Sequence, residues 1–245
     1  MSETKVALVT GANKGIGYEI AAGLGALGYR VGVGARDKAR LETAVDKLRA
    51  AGVDAFGVPL DVTSDQSVTD AAELVERRSG RLDALINNAG ISGEMAPGWV
   101  QDPTTLDLDV VRMVVETNVI GAIRVTNAML PLLRRSTSPR IVNVSSNVAS
   151  LTRQADPNIE IGPIMAAYSP SKSFLNAVTV QYARQFASTN ILINAACPGL
   201  VATDFTGFRG PRTPEQGAAI AIRLATLPDG GPTGSFFEDD GVIPW

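Results

Sequence analysis

The 245-residue chain contains no histidine and one cysteine, Cys197. Without histidine there is no Ser-His-Asp catalysis, no imidazole base and no His-ligated metal. A single cysteine makes neither an internal disulfide nor a paired-cysteine zinc site, so no metal site is expected. Any acid or base at work must be Tyr, Lys, Asp or Glu. Neither sign of charge is in large excess: 22 Lys and Arg stand against 25 Asp and Glu, a net charge of -3. That balance offers no general attraction to nucleic acid or to an anionic membrane, so a phosphate site would have to be local. Long apolar runs are missing as well. None reaches membrane-spanning length, and Val6 to Val9 is too brief for the core of a signal peptide; the expected setting is cytoplasmic.

What is present is an alternation of short apolar runs with helical patterns. Runs at 5–10, 30–35, 53–59, 82–87, 140–145 and 190–196 read as buried strands. Ile16 to Leu27 shows helical spacing, as do Leu41, Ala44, Val45 and Leu48, and again Val68, Ala71, Ala72 and Val75. A longer helix is predicted over roughly 109–133. Strands alternating with helices predict an α/β fold: a doubly wound parallel sheet with helices on both faces, one domain over residues 1–245.

Three irregular stretches leave strands at the end where such sheets bind ligands. They are Ile91 to Thr104 with Trp99, Leu151 to Met165, and Thr203 to Pro214 with Phe205 and Phe208. They are candidates for substrate walls and a lid. Trp99, Phe205 and Phe208 would suit an aromatic or alicyclic partner, or would simply anchor their loops on the core. The final run, Phe236 to Trp245, would dock on a neighbour or close over the site.

Val6 to Thr10 leads into Gly11-Ala12-Asn13-Lys14-Gly15-Ile16-Gly17. A strand feeding a glycine-rich turn, with a helix opening directly after it, lets backbone approach a pyrophosphate and aims the helix N-terminus at it. The second strand ends in Ala35-Arg36-Asp37. A carboxylate there would accept from a ribose 2′-OH, whereas an arginine would hold a 2′-phosphate. Arg36 and Lys14 favour NADP(H); Asp37 is the contrary signal and leaves NAD open.

Tyr168 and Lys172 stand four residues apart, on one face if helical. A nearby ammonium would lower the phenol toward the working range. Pro170 is tolerated only in a first turn, so the helix must begin close to Ala167.

Taken in order, these motifs resemble the classical short-chain dehydrogenase/reductase family, and within it the NADPH-dependent carbonyl reductases. Thr10-Gly11 to Gly17 is similar to the family's cofactor loop, Asn87-Asn88-Ala89-Gly90 to the motif after the fourth strand, and Asn118 to the Asn of its catalytic helix. Ile141 to Ser146 resembles the strand ending in the catalytic Ser, Tyr168 and Lys172 the Tyr-x3-Lys pair, and Cys197-Pro198-Gly199 with Thr203 the segment closing on the nicotinamide. The resemblance implies a single-domain Rossmann fold and hydride exchange between NADP(H) and a small carbonyl or alcohol. Tyr168 would move the proton, Lys172 would lower the phenol and hold the ribose, and Ser146 would hydrogen-bond the substrate oxygen. Asn118 would position a relay water. Gly11, Asn13, Lys14, Gly15, Ile16, Gly17, Arg36, Asp61, Val62, Asn88, Ala89, Gly90, Pro198, Gly199, Val201 and Thr203 would contact the cofactor, with Tyr168 and Lys172; Asn87 would also line its cleft. Ser145 remains an alternative to Ser146, since strand neighbours face opposite ways. An NAD-dependent alcohol dehydrogenase and a non-catalytic nucleotide-binding regulator are the other readings. The gap from Ser146 to Tyr168 is longer than in most classical members. It leaves open whether the chain forms the dimers or tetramers common in the family or stays a monomer.

Overall fold

Side chains along a strand alternate between faces, and here both faces are covered. In β1 (Val6–Thr10), Ala7 and Val9 join one apolar cluster, while Val6 and Leu8 join another on the opposite side. That double burial is why the strand reads as an unbroken apolar run. The computed structural model describes residues 4–93 and 100–245.

The chain continues through α1 (Gly15–Ala26), β2 (Arg30–Ala35), α2 (Lys38–Ala50), β3 (Ala55–Pro59), α3 (Asp65–Ser79) and β4 (Ala84–Asn87). It then forms α4 (Leu108–Val115), a π-helical turn (Glu116–Ile120), α5 (Gly121–Leu133), β5 (Arg140–Val144), α6 (Leu151–Ala155) and α7 (Tyr168–Gln185). β6 (Leu192–Ala196), α8 (Pro214–Ala225), β7 (Phe236–Glu238) and β8 (Gly241–Val242) complete it. The sheet order is β3-β2-β1-β4-β5-β6-β7-β8, parallel throughout except for the β7–β8 pair. Ile20 and Leu24 of α1, Leu41 and Leu48 of α2, and Ile220 and Leu224 of α8 cover one face. Val68 and Val75 of α3, Val125 and Met129 of α5, and Ala183 of α7 cover the other. This is the doubly wound α/β fold expected.

The predicted long helix over 109–133 is interrupted by the π turn, a distortion often found at functional sites, and Asn118 lies within it. From β1 the connections run outward in opposite directions, to β2 on one side and β4 on the other. The crevice above the C-terminal ends of β1 and β4 is therefore the topological switch point, where such sheets bind ligands. Among the described residues no helix is long and apolar enough to cross a membrane.

Candidate active site

At the switch point the loop after β1 is pressed against the loop after β4. Gly11 has φ of 63°, and a Cβ there would lie 2.9 Å from the Ala89 Cα. A Cβ on Gly17 would lie 2.4 Å from Asn88 Nδ2. That amide donates to the carbonyls of Thr10 (2.9 Å) and Gly11 (3.2 Å), while Thr10 Oγ1 accepts from the N–H groups of Asn88 and Ala89, both at 2.9 Å. Asn88 and Ala89 thus brace the glycine turn. α2, α3 and α4 start with the side-chain caps Asp37, Ser64 and Asp107, but α1 has no side-chain cap and no acid in its first turn. Its free N–H groups and positive dipole end are left for an anion. Asn13, Gly15 and Ile16 are half-buried around that end.

The two charged residues after β2 separate in role. Asp37 caps α2, its Oδ1 accepting from the Arg40 N–H at 2.9 Å, so its carboxylate is committed to the helix. Arg36 is exposed, and its charge helps to lower the Asp61 carboxyl. Asp61 is held below the ordinary carboxylate range chiefly by bonds from the Thr63 N–H (3.0 Å) and hydroxyl (2.7 Å). The buried Val62 next to it gives its carbonyl to Arg124 at 2.7 Å, and Arg124 also pairs with Asp65 and Glu116.

The remaining residues meet below the α7 N-terminus. Ala167 occupies the N-cap position and Tyr168 opens the helix, which puts Pro170 in the first turn as its chemistry demands. Tyr168 and Lys172 share the buried face, with Lys172 Nζ 5.7 Å from the phenol ring centroid and donating to the Val144 carbonyl at 2.8 Å. A Cβ on Gly90 would come within 3.2 Å of Asn118 Oδ1 and 3.4 Å of Lys172 Nζ, so these three are gathered at one point. Burial lowers the Lys172 ammonium to about 8. Tyr168 departs from expectation. Burial raises its phenol, the nearby Ser146 hydroxyl, which donates to Asn147 Oδ1 at 3.3 Å, pulls the other way, and the ammonium does not dominate.

The two serines are told apart by the partner that Ser145 finds. Ser145 continues the strand rhythm toward α7 and donates to Asn176 Oδ1 at 2.7 Å, leaving Ser146 to meet the phenol. Asn118 keeps both ends of its amide on protein: Oδ1 accepts from the Ile91 N–H (2.8 Å), and Nδ2 donates to the Ile91 carbonyl (2.8 Å) and to Ser171 Oγ (3.0 Å). Asn87, expected in the cleft, instead points into the core. Its Nδ2 donates to Thr126 of α5 and to Asn143 of β5, because the strand alternation turns it away from the switch point.

The segment after β6 returns across the cleft. Thr203 Cγ2 would sit 3.3 Å from a Cβ on Gly15, Lys14 Nζ reaches Asp204 Oδ2 at 2.5 Å, and the Phe205 ring lies 5.4 Å from the Tyr168 ring. Pro198 and Val201 are buried below it, while Gly199 turns with φ of 74°. Cys197 is buried and its thiol is pushed up to about 11, so it packs as a small apolar group. In the stretch 151–165, Met165 and Ile161 pack with Val148 around Tyr168. Trp99 lies outside the described residues. The C-terminal run docks on its own chain. Trp245 stacks on Phe236, and the carbonyls of Pro244 and Trp245 accept from Ser150 and Thr152, beside the Ser146 loop. Two polar residues escaped the sequence reading, Gln101 and Arg124. Neither belongs to a motif; Gln101 is marked by its burial and Arg124, partly exposed, by its pairing with Asp65 and Glu116. Among the described residues no group of three His, Cys, Asp or Glu could hold a metal.

Comparisons with known proteins bear on the same geometry. A family model described as short chain dehydrogenase matches residues 5–213. Short-chain dehydrogenase/reductase 1 of Saponaria officinalis is 34% identical over 299 residues, covering 100% of this chain and 97% of that protein. Carbonyl reductase (NADPH) 1 of Sus scrofa is 33% identical over 284 residues, covering 100% and 95%. The solved structure of an NADPH-bound carbonyl reductase from chicken fatty liver superposes with a TM-score of 0.85 at 28% identity, each chain covered in full.

Proposed function

The chain belongs to the short chain dehydrogenase family and is an oxidoreductase of that family, and on that premise we propose that it reduces a ketone or aldehyde with NADPH. The observation that carries the proposal is the convergence of Ser146, Tyr168 and Lys172: a serine hydroxyl close enough to a buried phenol to act on its titration, with a lysine on the same helical face.

The residues at the switch point fit a dinucleotide. The uncapped start of α1 and the Gly11–Gly17 turn suit its pyrophosphate, with Asn13, Gly15 and Ile16 around it. Asp61 and Val62 would meet the adenine, and Asn88, Ala89, Gly90, Pro198, Gly199, Val201 and Thr203 the nicotinamide half. Asp37 is occupied as a helix cap, which disfavours its use by an NAD ribose and leaves Arg36 for a 2′-phosphate, joined by Lys14 once Asp204 releases it. The naming of NADPH in two of the matched carbonyl reductases supports the same choice.

The nicotinamide supplies the hydride when bound. The protein's own groups handle the proton and the developing charge. Tyr168 donates its phenolic proton from Oη to the carbonyl oxygen, and Ser146 donates a hydrogen bond to that oxygen as its charge grows. The raised phenol stays protonated at neutral pH, which suits a donor and hence the reducing direction. Lys172, protonated below about 8, holds the ribose and stands ready to return a proton toward Tyr168. Phe205, Met165, Val148 and Ile161 give the phenol apolar surroundings, which exclude water and fit an aromatic or alicyclic carbonyl.

The test is NADPH and NADH consumption, followed by absorbance, over a panel of ketones, diketones and aldehydes. Tyr168→Phe should lose about 100-fold or more in turnover. Preference for NADH would overturn the phosphate assignment, and turnover surviving in Tyr168→Phe would overturn the proton donor.

A further inference from the structure

Gln101 lies outside every motif and is 3% exposed. Its Nε2 donates to the Ser92 carbonyl at 2.9 Å, and its Oε1 accepts from the Ala167 N–H at 3.0 Å. Its backbone N–H donates to the Ile164 carbonyl at 2.8 Å, in a parallel bridge with Met165. These two partners are backbone groups of fixed polarity, so the orientation of the amide is set by chemistry.

Asn118 makes a connection of the same kind nearby, from Ile91 to Ser171. Two buried amides therefore join the same two pieces of chain, the loop leaving β4 and the first turn of α7. The Gln101 strut ends on Ala167, the residue immediately before Tyr168. Ala167 holds the N-cap position with no side-chain bond to the helix, and it is itself buried. Its N–H has a partner because Gln101 provides one. A tyrosine is a long lever, so a small rotation of the backbone at its base is magnified at Oη.

We infer that Gln101 is a positioning residue for the reaction: it sets the spacing between the Asn88–Ser92 loop and the phenol of Tyr168. The inference rests on the function proposed above, in which that loop lines the nicotinamide site and Tyr168 is the proton donor. Gln101 touches neither substrate nor cofactor. A misplacement of about 1 Å costs on the order of 100-fold in such chemistry, so a strut at this point governs rate more than binding.

Two variants separate positioning from mere stability. Gln101→Met keeps the length and loses both bonds. It should lower kcat about 10- to 100-fold while the dissociation constant for NADPH stays within about twofold, because the glycine turn and α1 are untouched. Gln101→Glu should recover kcat as pH falls. Its protonated carboxyl can donate to Ser92 and accept from Ala167, reproducing the amide, whereas the carboxylate cannot donate. Acid recovery in the Glu variant and none in the Met variant is the signature expected. A kcat within twofold of wild type in Gln101→Met would overturn the inference, as would kcat and NADPH affinity falling together. The ultraviolet titration of the Tyr168 phenol, taken as the difference from Tyr168→Phe, needs no turnover. It should move toward the ordinary tyrosine value in Gln101→Met as the loosened helix start admits water. An unmoved titration would also count against the strut. If the wild type turns over no carbonyl yet the titration moves, the proposed function fails and the strut stands.

Discussion

The ammonium of Lys14 and the carboxylate of Asp204 stand 2.5 Å apart, tying the glycine turn to the segment that carries Phe205 onto Tyr168. Both side chains are about half exposed, so the pair itself adds little to stability. Its importance is competitive, because a carboxylate holding Lys14 must be displaced before a phosphate can use that lysine. Asp204→Asn should therefore tighten NADPH by up to about fivefold, the size of an exposed ion pair. Lys14→Ala should weaken NADPH by about 10- to 100-fold, as expected for a charge-assisted bond to phosphate, and leave NADH nearly unchanged. Fluorescence titration with each cofactor checks both. Equal weakening of NADPH and NADH by Lys14→Ala would mean that the lysine does not read the 2′-phosphate.

Arg36 and Asp37 are neighbours with separable duties. Asp37→Ala removes the cap from α2 and should cost about 1 kcal/mol in chemical denaturation, with the ratio of NADPH to NADH affinity unchanged. Arg36→Ala should leave stability alone and cut that ratio by about 10- to 100-fold. A shift in cofactor preference in Asp37→Ala would return the carboxylate to the ribose.

How far the sequence reaches can be judged from particular residues. The six central strands and the helices between them were legible because each is buried on both faces or along one stripe, and burial imposes a period. The glycine turn and the Tyr168–Lys172 spacing were legible for the same local reason. β7 and β8 span three residues and two, too few to establish any period. α8 announces itself through its cap, Thr213 and Gln216 with Pro214 at the start, and through a short stripe of Ala218, Ala221 and Leu224. Ser146 was favoured by resemblance, whereas the bond from Ser145 to Asn176 is a long-range pairing that alternation alone leaves undecided. Asn87 was misplaced for a related reason: its motif lies at the site, but its side chain belongs to a core network whose partners are 39 and 56 residues away. The Tyr168 phenol went the opposite way from expectation because spacing along a helix says nothing of how completely the pair is desolvated.

Lys172 gives the site a pH signature that can be read in stability. Burial lowers its ammonium from 10.5 to about 8. Below about pH 8 the amine is protonated in both the folded and the unfolded chain, and keeping that charge buried costs roughly 3 kcal/mol. Between about 8 and 10.5 the unfolded chain binds the proton more tightly than the folded one, so the contribution of this group to stability rises with pH. Tyr168 works in the opposite sense, but its raised phenol matters only above the ordinary tyrosine value near 10. Lys172→Met leaves the Val144 carbonyl without its 2.8 Å partner, a loss that does not depend on pH and cancels in the comparison. Urea denaturation of both proteins from about pH 7 to 10 should show the wild type gaining roughly 2 kcal/mol on the variant. A difference that stays flat would mean that water reaches the amine, and a difference of the opposite sign would mean that a carboxylate faces it.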